Sequence, residues 1–140
     1  MSPLGMAYFK WASVALFVAC LPLPGVCTAG HCGLGISYLV FGSIGFLAGW
    51  ANLSWLANPI LLLSWKYGRR RNGLVGLSSA FVALLFASIP LMVSDIVTNE
   101  GGVATGIEGF GVGYWLWMAA IGVMVAGYIF EWAGWRRKMA

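Results

Sequence analysis

Charge is scarce in this sequence. Of its 140 residues 9% are charged, four of them acidic and eight basic, whereas an ordinary soluble domain carries about 25%. That is too little to coat a water-facing surface, and it argues against a soluble globular domain. Histidine is scarcer still, with His31 the single one. There is no nucleophile–His–acid set, no HExxH motif and no glycine-rich phosphate loop with its lysine. No catalytic residue is nominated. From Gly35 to Trp65 there is no charged residue at all, and none lies deep in any apolar run. Ion-coupled transporters and proton relays keep their charges at such depths, so that class is disfavoured.

What remains is apolar. Hydrophobic residues make up 61% of the chain, with eight Trp, five Tyr and eight Phe. A span needs about 20 apolar residues to cross the hydrocarbon core, and four runs qualify, at about 6–26, 35–65, 74–93 and 111–133. The sequence therefore predicts one transmembrane domain over residues 1–140. Its fold class is all-α, a polytopic four-transmembrane-helix bundle. The first run should stop at Leu21-Pro22-Leu23-Pro24-Gly25, which cannot continue a regular helix.

Lys and Arg collect in short cytoplasmic loops. On four spans all eight basic residues fall on one side: Lys10, then Lys66 and Arg69, Arg70 and Arg71, then Arg136, Arg137 and Lys138. The last six read as cytoplasmic anchors that can hold anionic lipid head groups. Asp95, Glu100 and Glu108 fall opposite. This sidedness predicts a multi-pass protein of a bacterial inner membrane with both termini cytoplasmic. The partners it implies are the lipid bilayer and other membrane subunits or self-association. The net charge of +4 serves topology rather than nucleic-acid binding.

At about 1.5 Å per residue the second run would be roughly 45 Å long. Division near Asn52-Leu53-Ser54 would put Lys66 to Arg71 opposite Lys10. A single long helix kinked near Pro59 is expected instead, with a short helical hook before it as the variant. The first run has a rival reading, because Lys10, the apolar stretch, the Pro-Gly break and Cys27-Thr28-Ala29 resemble a cleavable signal sequence covering residues 1–29. We take it as a retained span.

Three features are candidate sites. Cys27, His31 and Cys32 lie in the first outer loop, where disulfides persist. They read as a structural disulfide or free thiols, as a redox pair, or as ligands for zinc or copper, of which the structural reading leads. Trp50, Asn52, Ser54, Trp55 and Asn58 place polar groups at bilayer depth. They serve either helix packing or a pocket for an apolar ligand with a polar handle, such as a quinone or lipid tail. Gly42, Gly45 and Gly49, and likewise Ala119, Gly122 and Ala126, form small-residue strips that let helices approach closely. The stretch Ser94 to Gly109 reads as a flexible, solvated loop suited to docking. No cofactor is indicated.

Trp55-Leu56-Ala57-Asn58-Pro59 before an apolar run and a basic loop, with Gly113-Tyr114-Trp115-Leu116-Trp117-Met118-Ala119 in the last run, resembles small, uncharacterised multi-pass inner-membrane proteins of Gram-negative bacteria. The resemblance implies an inner-membrane location and carries no activity. The function expected is non-enzymatic: an accessory or assembly subunit of an inner-membrane complex, acting by helix–helix contacts. The alternatives are an immunity protein against a pore-forming toxin, and a periplasm-facing thiol-redox or metal-handling protein.

Overall fold

Prolines and glycines cut the chain at every point where hydropathy alone would run on. A computed structural model describes residues 3–67, 73–98 and 102–136. Helix α1 (Pro3–Cys20) stops one residue before the Leu21-Pro22 turn. Strand β1 (Pro24–Thr28) follows, with Pro24 at the first strand position, where its missing N–H costs the ladder nothing. Then come β2 (His31–Leu34), α2 (Gly35–Gly45), a 3₁₀ segment (Ala51–Leu56) and α3 (Ala57–Lys66). The second half holds α4 (Gly73–Ser88), a 3₁₀ turn (Ile89–Leu91), β3 (Asp95–Val97), β4 (Ala104–Phe110) and α5 (Val112–Arg136).

The fold is mixed α/β, which corrects the all-α four-helix expectation. Among the described residues five helices stand with a four-stranded antiparallel sheet of order β2-β1-β4-β3. Two helical stretches among the described residues, Gly73–Leu91 and Val112–Gly134, are long and apolar enough to cross a membrane. The long second helix is not formed. Gly42, Gly45 and Gly49 weaken a helix there, and the Asn52 amide is engaged by strand β3 rather than by helix neighbours. Pro59 does not kink a helix; it sits in the first turn of α3, where the N–H groups lack intrahelical partners in any case. A short helix, α2, stands where the hook was expected, but only the ten-residue α3 follows it in place of a span. The segment expected to be a flexible loop contains β3 and β4, in which Thr105 and Ile107 point to one face and Ala104, Gly106 and Glu108 to the other.

Helices α1, α3, α4 and α5 pack together, with Leu61, Ile121 and Met124 fully buried among them. Helix α4 turns Gly76, Ala80, Ala83 and Ala87 inward, one face at helical spacing. Hydroxyls join the layer where side chains are small. Ser13, fully buried, donates to the Ala120 carbonyl at 2.7 Å and accepts from Trp65 Nε1 at 2.9 Å, tying α1 to α5 and α3. Tyr114 donates to the Ala87 carbonyl at 2.8 Å, and Tyr128 to that of Ser64 at 2.6 Å. Each such bond is worth about 1 kcal/mol net.

The sheet covers one end of this layer, because α1 feeds β1 and β4 feeds α5 directly. The joint is tight. A Cβ on Gly113 would lie 2.7 Å from the carbonyl oxygens of both Leu23 and Pro24, and Gly111 N–H donates to Gly25 O at 2.6 Å. Asp95 and Glu108 lie at the sheet end, whereas Lys66 and Arg136 end α3 and α5 at the other. Between the ends, Phe81, Val82, Leu85, Trp115, Ile129 and Phe130 are exposed. Large apolar side chains exposed in this number point to a membrane or a protein partner.

Candidate functional site

The β1–β2 hairpin turns through Ala29 and Gly30, both at positive φ, 38° and 75°. Such a two-residue turn favours Asn or Asp before Gly, so Ala29 carries backbone strain. Cys27 faces Cys32 across the two strands, and the two form a disulfide. His31 is exposed beside them, and no group of three or more metal-ligating side chains occurs among the described residues. Glu108 of β4 reaches the turn, its carboxylate accepting the Gly30 N–H at 3.0 Å. Replacing Ala29 by Asn should stabilise the protein by about 0.5–1 kcal/mol through relief of the left-handed conformation. Equilibrium unfolding reads this directly, and an unchanged or lowered midpoint would contradict it.

Behind the hairpin, where sheet meets helices, lies a partly open apolar cavity of about 90 Å³. Four of the five residues expected to form an intramembrane site line it: Asn52, Ser54, Trp55 and Asn58. Trp50 does not, and is 75% exposed. The Trp55 ring lies against Gly42, where a Cβ would strike Cδ1, and its Nε1 donates to the Leu39 carbonyl at 2.8 Å. Gly42 is thus a seat for an aromatic ring within the chain. Gly45 and Gly49 lie near Asn52, so the first small-residue strip serves this corner and not a second helix.

Asn52 turns both ends of its amide to β3, donating to Val97 O at 2.9 Å and accepting from Val97 N at 3.1 Å. Asn58 Oδ1 accepts from Trp117 Nε1 at 2.9 Å. The Tyr38 hydroxyl donates to Val26 O at 3.1 Å. Cys20, a free buried thiol, also borders the cavity.

No protein-family model, curated protein or solved structure matches the chain. Its chemistry is therefore read from its own residues.

The second small-residue strip behaves differently from the first. Ala119 is exposed, Gly122 and Ala126 are half-buried, and a Cβ on Gly122 would meet nothing within 4 Å. The inward strip that closes the helical layer is Gly76, Ala80, Ala83 and Ala87, which sequence reasoning missed. Its 4-3-4 spacing was the available signal. Of the basic anchors, Arg69, Arg70, Arg71, Arg137 and Lys138 lie outside the described residues, and Arg136 ends α5.

Proposed function

We propose that this chain is a non-enzymatic integral membrane protein of a bacterial inner membrane, an accessory or assembly subunit acting through lateral helix contacts. The helical layer sits in the bilayer, the sheet lies on the periplasmic face, and the termini are cytoplasmic. The separation of Asp95 and Glu108 from Lys66 and Arg136 at opposite ends of the layer supports this orientation under the positive-inside tendency.

One observation carries the interaction reading. Trp115, Ala119, Gly122, Ala126 and Ile129 recur at spacings of four and three along α5, and all five remain exposed or half-buried. That period is the seam of a packed helix pair, and small residues at its centre let a second backbone come close. The internal core uses the other face of α5, with Ala120, Ile121, Met124 and Tyr128.

Gly122→Leu tests the proposal. The side chain enters open space, so the fold should persist, while contact with the partner helix is blocked. Gentle-detergent purification with native mass spectrometry should show the wild-type chain bound to a further subunit or to itself, and the variant alone. A solitary wild-type monomer, or a variant that keeps its partner, would sink the idea.

A further inference from the structure

We propose that the cavity between sheet and helices holds the carbonyl end of one acyl chain of a membrane lipid, whose ester carbonyl accepts hydrogen bonds from Ser54 and Asn58. The inference rests on the membrane-embedded reading and adds a ligand site to it.

The polar inventory of the cavity selects the chemistry. No charged residue lines it, so a phosphate or ammonium head group is excluded from its interior. Asn52, Tyr38 and Trp55 are each held by backbone partners, Asn52 through both its oxygen and its nitrogen. Asn58 has its oxygen occupied by Trp117, which leaves its Nδ2 hydrogens free, and Nδ2 only donates. Ser54 Oγ has no partner among the described residues. The two side chains are four residues apart, at the junction of the 3₁₀ segment and α3. Together they present donors, and what they call for is an acceptor without a charge: a carbonyl.

Size and position select the rest. An apolar cavity of roughly 150 Å³ holds benzene, and this one has about 90 Å³. That excludes the substituted ring of a quinone and admits only the carbonyl end of one aliphatic chain with its first few methylenes, the rest of the chain lying outside. The cavity sits at the sheet end of the helical layer, the level at which lipid esters lie between head groups and hydrocarbon. Helix α2 contributes Tyr38, Leu39 and Gly42 to the lining while Val40, Phe41 and Ile44 are exposed beside them. A chain can therefore pass from the surrounding lipid along α2 into the cavity.

The test uses the full chain in detergent, with thermal unfolding as the readout. Monooleoylglycerol is the ester probe, its ether-linked analogue lacks the carbonyl, and decylubiquinone represents the ring alternative. The ester should raise the midpoint saturably and bind about thirtyfold tighter than the ether, the value of the two hydrogen bonds. Ser54→Ala, which breaks no bond within the protein, should reduce that preference, and Ser54→Leu should fill the cavity and abolish saturable binding. Equal binding of ester and ether, tighter binding of decylubiquinone, or an undiminished ester preference in Ser54→Ala would each overturn the proposal. Alkaline extraction of the source membranes keeps the two readings apart. A chain that stays with the membrane yet shows no ester preference loses the site and retains the location.

Discussion

Gly76→Val should stop the helical layer from closing. A Cβ at this position would fall on the Tyr128 ring, 2.7 Å from Cε1 and closer still to Cζ and the hydroxyl oxygen. The phenol cannot swing aside freely, because its hydroxyl donates to Ser64 O at 2.6 Å and so links α5 to α3 across α4. Making room costs about 1–3 kcal/mol of overpacking. Losing the bond leaves a buried carbonyl unpaired, for about 1–3 kcal/mol more. A loss of roughly 2–6 kcal/mol is a large share of the 5–15 kcal/mol that domains typically possess. Gly122→Val is the control, since the same change on α5 enters open space. If the two variants unfold at the same midpoint in detergent, the close approach at Gly76 is not what holds α4 in place.

The second large effect is expected at Asn52. Its amide pairs with both backbone groups of Val97, as a neighbouring strand would, and closes the outer edge of β3. Asn52→Leu leaves an N–H and a carbonyl without partners beside buried Ile96, at a cost of about 2–4 kcal/mol. Asn52→Asp keeps the acceptor for Val97 N and loses the donor, so its loss should be intermediate. Amide exchange at Val97 should accelerate in both variants, more in the first. Unchanged protection at Val97 would show that the edge is held by something else.

What the sequence made legible depended on whether a signal was local. The end of α1 was readable because Pro22, Pro24 and Gly25 act on their own segment. The reach of α5 was readable because an apolar run of that length has few alternatives. The β-strands were not. Glycines at 106 and 109 gave Ala104–Phe110 the composition of a loop, and its strand character comes from partners in β1 and β3. The break of the second run was hidden for the same reason. Asn52 prefers Val97, which is far away in sequence, and no window around residue 52 contains that fact. Four of the five polar and aromatic residues singled out there do share one cavity, because residues three or four apart near a helix start face the same way. Trp50 fell outside it, being placed before the 3₁₀ segment begins.

The central pairing of the sheet also has a consequence in time. Val26, Cys27 and Thr28 of β1 pair with Phe110, Gly109 and Ile107 of β4, so β1 waits for a neighbour made about 80 residues later. At 5–20 residues per second of synthesis, that is an interval on the order of 4–16 s. During it β1 has one open edge, a template for strands of other chains. The Cys27–Cys32 bond lies wholly within the early segment and needs nothing downstream to form. It can therefore fix the hairpin's register while the seam is still open, and cells slow to oxidise this pair should accumulate chains whose outer layer has joined the wrong neighbour.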